Sequence, residues 1–343
     1  MRESAFYLIH LMSCALNDVQ PCSLPEGASW DEVYALAEFN SVEGLAWTSA
    51  RRVRDVPADM LKEWGATADM TLYRCVSYGI EREAVLAALA DRGLSWLPLK
   101  GALLVDLYPS PHMRSMADND ILYGFVEEDP AGGFRIAGAT EADRERTTAR
   151  AVRMAVEVME ARGYRTISKT AGNHESFVKN PHFNFELHRR LVSPSSPQAA
   201  YYHNPWQRAV PVRLDSNAAE DEASDAGRGG RGREYRFSDD DFYLHLVSHA
   251  FKHYDASGCG IRFLVDQLVF LRARGKGLDR SYLADELSKL GLRDLSSGRA
   301  GCRFARWRIR ERLAVARKGG TLKEDRRKRQ RVFRMPTRRV FCA

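Results

Sequence analysis

Apolar residues recur every three or four positions over residues 4–17 and again over 30–53, which predicts helices in both stretches. Asp31, near the start of WDEVYALAEF, suits a first helical turn, where an acid meets the positive end of the helix dipole. Pro57 can open a longer helix that runs on the same periodicity to about Arg92. Residues 1–92 are therefore expected to be a helical region. The pattern changes at LSWLPLKG, an apolar run of strand length ending in Gly101. ALLVDLYP then predicts a helical turn or two, stopped by Pro109 and Pro111, and ADNDILYG a strand. A helix from about Asp143 to Arg162 closes at Gly163, a suitable C-cap. YRTISK, HESFVK and FNFELHRRL follow as successive strands. Residues 93–192 are thus expected to form an α/β (α+β) core with a small mixed sheet.

From Ser193 to Arg236 the chain has the character of a loop insertion, and its polar, Gly-rich run AAEDEASDAGRGGRGR is expected to be mobile. Ser238 and Asp241 give S-x-x-D, a capping-box-like start for the helix FYLHLVSHAFKHY. The break SGCG precedes a second helix, IRFLVDQLVFLRAR. Residues 237–292 are expected as a C-terminal helical region, and 293–343 as an Arg-rich tail. No internal repeat stands out.

Composition narrows the class. At 343 residues, 44% hydrophobic and 28% charged, the chain is expected to be soluble and globular. Its longest early apolar run, AFYLIHLMSCAL, is too short to span a bilayer and lacks the basic flank and cleavage site of a signal peptide, so no membrane partner is expected. Six scattered cysteines without CxxC spacing argue against a zinc knuckle and fit a reducing cytoplasm, the expected location. The net charge of +7 conceals an asymmetry: residues 298–343 carry +14, leaving residues 1–297 at −7. Any nucleic-acid binding would rest on that tail, through salt-sensitive phosphate contacts of clustered Arg. The tail also loses the apolar periodicity of the helices before it. A reading frame that departs from the ancestral one near Ser296 fits that loss, and is favoured over an authentic nucleic-acid-binding extension.

The candidate chemistry lies in the strands. Asp118 and Asp120 stand two apart in ADNDIL, so on a strand their carboxylates share a face beside Met116, Ile121 and Leu122. Like charges so placed repel unless a cation sits between them. In FNFELHRRL, Phe183, Phe185 and Leu187 alternate with Asn184, Glu186 and His188, so one face is apolar and the other carries a carboxylate between two polar groups. Were this strand beside ADNDIL, Glu186 would join the two aspartates in a hard-oxygen site suited to Mg²⁺. An exposed edge strand with a surface Glu is the alternative. His245, His249 and His253 stack along one helical face. One helix cannot wrap a metal, so they are expected either to line a substrate cleft or to be partly buried packing residues. Arg262 and Asp266, also four apart, form a structural ion pair or leave Arg262 to reach phosphate near a helix start.

Taken together, KGALLVDLYPSPHMRSMADNDIL resembles the nucleotidyltransferase-like proteins of the DNA polymerase beta superfamily. It is most similar to an uncharacterised branch with Lys-Gly, an aliphatic helix, Tyr-Pro, Arg and Asp-x-Asp. FELHRRL, FYLHLVSHAFKHY and GCGIRFLVDQLVFL resemble that branch's later elements, so residues 30–292 or so are covered. Lys100-Gly101 replaces the superfamily's usual Gly-Gly or Gly-Ser, and the spacing to the first Asp is longer; both departures are shared by the branch. The resemblance implies a polymerase-beta-like core and an enzyme that transfers a nucleoside monophosphate from an NTP such as ATP to an acceptor. The acceptor would be a small molecule, peptide or protein. Asp118, Asp120 and Glu186 would be catalytic and hold Mg²⁺ (or Mn²⁺). Lys100, Gly101, Arg114 and Arg262 would meet nucleotide phosphates, and His188, with His245, His249 and His253, would face the substrate. A catalytically silent nucleotide- or partner-binding module is the alternative.

Overall fold

The computed structural model describes residues 1–169, 172–212, 232–256 and 260–292. The 218–233 run lies mostly outside that set, and the 293–343 tail wholly outside it. The fold is mixed α+β, in two compact units that interleave in sequence. Among the described residues, those within 1–76, 104–115 and 243–292 make a helical unit, and those within 77–103 and 116–242 make an α/β unit.

The helical unit contains α1 (Arg2–Asn17), α2 (Trp30–Phe39), α3 (Glu43–Ala50) and the first part of the long α4 (Ala58–Asp91). The periodicity over 30–53 predicts one helix where the structure has two. Ser41 takes a left-handed φ of 54°, and the Asn40 side chain donates to the Leu36 carbonyl at 2.8 Å, so the chain turns between α2 and α3. Leu11, Val33, Leu45, Trp64 and Val269 are buried in one core with Tyr7, Trp30 and Tyr34. The Trp64 indole also donates to the Glu43 carbonyl at 2.9 Å, which pins α3 against α4. A Cβ on Gly44 would stand 1.8 Å from the His112 carbonyl oxygen, a backbone atom that cannot swing aside. Gly44→Ala is therefore expected to cost at least about 1–3 kcal/mol, read as a lower unfolding midpoint.

The α/β unit is built on a five-stranded sheet in the order β1-β2-β7-β6-β5. Its strands are β1 (Ser95–Pro98), β2 (Asn119–Gly124), β5 (Arg165–Lys169), β6 (His174–Lys179) and β7 (Phe183–His188). β2 and β7 are parallel; every other neighbouring pair is antiparallel. Ile121, Tyr123, Phe177, Phe185 and Leu187 bury one face against Val85 and Leu89 of α4 and Ala151, Ala155 and Met159 of α6 (Glu141–Ala161). α6 starts in a capping box made by Thr140 and Asp143. The short α5 (Gly101–Leu104) follows β1 directly.

Two small ribbons were not expected. β3 (Val126–Glu128) pairs with β4 (Phe134–Ile136), and β8 (Ala209–Pro211) with β9 (Tyr235–Phe237). The second ribbon lies at the ends of the stretch read as loop, which the structure corrects there: Trp206 is fully buried, edge-on to Tyr235, and anchors it. α7 (Asp239–Ala256) starts where S-x-x-D predicts, with Ser238 Oγ accepting from the Asp241 amide at 3.1 Å. α8 (Ile261–Arg274) and α9 (Arg280–Lys289) complete the described chain. Among the described residues, no helix is long and apolar enough to cross a membrane.

Candidate functional site

The polar face of the sheet carries the site. β2 and β7 are paired so that Asp120 lies in register with Glu186, and β6 and β7 so that His174 lies opposite His188. Registered residues share a face, so these four side chains project from the side opposite the apolar core. Asp118 immediately precedes β2 rather than lying within it.

Asp120 is buried, at 4% exposure, and has two partners on one oxygen: Lys100 Nζ donates to Oδ1 at 2.7 Å, and His188 Nε2 lies 2.9 Å from the same atom. Burial alone would raise the Asp120 carboxyl, but the Lys100 charge and the His188 hydrogen bond hold it well below the usual carboxylate range. Burial likewise works against the Lys100 ammonium; the Asp120, Asp118 and Glu186 carboxylates outweigh it and raise its pKa. Both groups therefore stay charged at neutral pH. Lys100 sits at the turn from β1 into α5 with a left-handed φ of 45°, a conformation strained for a side-chain-bearing residue. The Leu99 amide, which donates to the Asp120 carbonyl at 2.9 Å, ties that turn to β2.

The carboxylates are side by side in backbone register and both approach His188, with Lys100 on Asp120 and His174 beside Glu186. Glu186 Oε2 lies 3.5 Å from His174 Nε2 and 3.6 Å from His188 Nε2. Among the described residues, the three side chains gathered closely enough to share a cation are His174, Glu186 and His188, with ligand atoms all within 4.8 Å of one another. The Asn173 amide nitrogen is 3.3 Å from His188 Nδ1. With Nδ1 accepting there, the neutral ring donates from Nε2 to Asp120. His174 and Asn173 were not picked out from the sequence, although a signal existed. Two six-residue strands joined by residues 180–182 leave little freedom of register, and that register sets His174 opposite His188.

The other candidates belong to the helical unit. Arg114 spends its planar fork on Asp266, through Nε at 2.9 Å and Nη2 at 3.1 Å, and Tyr108 donates to the same carboxylate at 2.7 Å. Asp266 therefore pairs with Arg114 and not, as the spacing of four suggested, with Arg262. Arg262 makes no ion pair among the described residues, though its charge helps to lower the Asp266 carboxyl. His245 is buried. The His249 and His253 Nε2 atoms are 3.1 Å apart, and both rings pack on Phe263 at 5.6 and 5.0 Å between centroids.

With this geometry described, comparison with known proteins is informative. The sequence profile of the uncharacterised nucleotidyltransferase family matches residues 26–125 and 147–302. The chain belongs to that family. The match contains β1, the Lys100–Gly101 turn, β2, β6 and β7. It omits residues 126–146, which hold the β3–β4 ribbon and the start of α6. No curated protein matches the chain. A crystal structure of an antigenic nucleotidyltransferase-like protein from Paracoccidioides brasiliensis is similar over 59% of this chain and 76% of its own, at 13% identity and a TM-score of 0.32. So low a score adds nothing to the family match. Nucleotidyl transfer is the general activity that family membership supports.

Proposed function

We propose that the chain is a Mg²⁺-dependent (or Mn²⁺-dependent) enzyme that moves a nucleoside monophosphate from an NTP to an acceptor nucleophile, releasing pyrophosphate. The observation that carries the reading is the registered pair Asp120 and Glu186 on parallel neighbours, with Lys100 on Asp120 at a strained Lys-Gly turn. The donor types suit a hard divalent cation: Asp120 and Glu186 offer carboxylates on one face of the sheet, Asp118 adds its charge at Lys100, and a cation that draws the three together can take over the neutralising role that Lys100 fills. When bound there, the ion supplies charge stabilisation at the reacting phosphate. Lys100, released from Asp120, presents a compact positive charge to triphosphate oxygens, and the Gly101 backbone allows phosphate to approach without a side chain in the way. Arg114, engaged by Asp266, is assigned to structure in this reading.

A second reading has an observation of its own. Lys100 and His188 already satisfy Asp120, which suits a nucleotide- or partner-binding module that does not turn over. One assay separates the two. The full chain is incubated with α-labelled NTPs, Mg²⁺ or Mn²⁺, and panels of small-molecule, peptide and protein acceptors. Transfer of label with matching pyrophosphate release, absent from Asp118→Ala, is the expected result. Tight NTP binding with no pyrophosphate from any mixture sinks the transferase reading and leaves the binding module.

A further inference from the structure

We infer that His174, Glu186 and His188 form a second cation position on the sheet, one with nitrogen donors that takes Mn²⁺, Co²⁺ or Zn²⁺ in preference to Mg²⁺. The three residues come from two hydrogen-bonded strands and occupy the same face: His174 is the cross-strand partner of His188, and Glu186 precedes His188 by two positions. A single atom, Glu186 Oε2, lies 3.5 Å from one imidazole Nε2 and 3.6 Å from the other. Ligand atoms at about 2.0–2.2 Å around a tetrahedral ion stand roughly 3.3–3.6 Å from one another, which the two Glu186 separations already match; the imidazole ligand atoms lie within 4.8 Å of each other, an edge that side-chain rotation closes. The rigidity comes from the sheet, since rotation about side-chain bonds alone brings the ligands in.

The donor set decides which ion. Two imidazoles and one carboxylate suit borderline transition metals, whereas Mg²⁺ keeps oxygen ligands and water. His188 is also equipped for the exchange. Ligation through Nε2 requires the proton on Nδ1, and the Asn173 amide at 3.3 Å can accept it there through its oxygen if it turns end for end and gives up its 3.4 Å bond to the Leu191 carbonyl. The inference shares Glu186 with the transferase reading and refines its metal requirement, but its test needs no nucleotide.

The nucleotide-free full chain is titrated with Co²⁺ and followed by visible absorption. One equivalent is expected to bind with ligand-field bands, to be displaced by Zn²⁺, and to resist a large molar excess of Mg²⁺. His174→Gln is expected to weaken Co²⁺ binding at least about tenfold, since loss of even an outer-shell partner costs that much. X-ray absorption of the Zn²⁺-loaded wild-type chain, which does not depend on how a variant folds, is expected to show two imidazole ligands. Absence of Co²⁺ binding, its displacement by Mg²⁺, an unchanged affinity in a folded His174→Gln, or a spectrum without imidazole would each overturn the inference. Transfer with Mg²⁺ but no Co²⁺ site leaves the enzyme reading standing, and imidazole-ligated Co²⁺ without transfer leaves this one.

Discussion

Asp266→Ala is expected to destabilise the helical unit by about 3–5 kcal/mol, the cost of removing one partner from a buried ion pair. The magnitude follows from where the pair sits: the Arg114 and Asp266 side chains are 7% and 9% exposed. Removing the carboxylate strands the Arg114 guanidinium and the Tyr108 hydroxyl together, away from water that could replace it. Tyr108→Phe removes one hydrogen bond to a charged acceptor and is expected to cost less, about 1.5–3 kcal/mol. Urea denaturation followed by tryptophan fluorescence reads both, since Trp30, Trp47 and Trp64 lie in the same unit. The wild-type pair also carries a pH signature. Burial would raise the Asp266 carboxyl, but the Arg114 charge and hydrogen bonds outweigh it and hold the folded value below the ordinary 3.8. The unfolded chain therefore takes up its proton first as pH falls. The pair's stabilisation is complete above the ordinary carboxylate range and drains away as the pH drops below it towards the lower folded value. In Asp266→Ala that part of the acid limb should vanish. Equal stability of variant and wild type at pH 7 would show that the pair is not the anchor described.

Asp120→Asn is expected to lower nucleotidyl transfer by about a thousandfold while leaving the fold in place. Loss of a cation-binding carboxylate removes several kcal/mol of transition-state charge stabilisation, and about 4 kcal/mol corresponds to three decades in rate. The amide preserves an acceptor of the same shape. Lys100 and His188 can still donate to its oxygen, and the Asp118 and Glu186 charges still act on the Lys100 ammonium, so Asn is expected to destabilise far less than Ala, which would open a hole between two donors. The split between activity and stability separates the two roles of Asp120. A chain that melts as the wild type does and retains full transfer would remove Asp120 from the chemistry. Collapse of the fold in Asn would instead mean that the Lys100–Asp120–His188 network is chiefly structural.

Much of this architecture was legible along the chain. Period-2 alternation in FNFELH separated Phe185 and Leu187, both fully buried, from Glu186 and His188 on the polar face. The S-x-x-D signal marked the start of α7, and Gly163, with φ of 80°, closes α6 as its position suggested. Short-range rules failed where longer-range contacts intervened. The break between α2 and α3 depends on Ser41 adopting a left-handed turn inside an otherwise helical pattern. β8 and β9 are three residues each, too short to show periodicity, and are held by Trp206.

For the site, sequence alone determined the residue types and their faces: acidic pairs at strand spacing, a Lys-Gly at a strand end, and a histidine two places after Glu186. It could not determine which of them meet, because strand order is a property of the folded sheet. Only the tertiary structure set Asp120 against Glu186 across a parallel pair whose members are 66 positions apart in sequence. It alone committed Arg114 to Asp266, 152 positions away, and brought His174 to His188. Spacing fixes neighbours along one element through local geometry, whereas partners across elements are chosen by burial and charge once the core has closed.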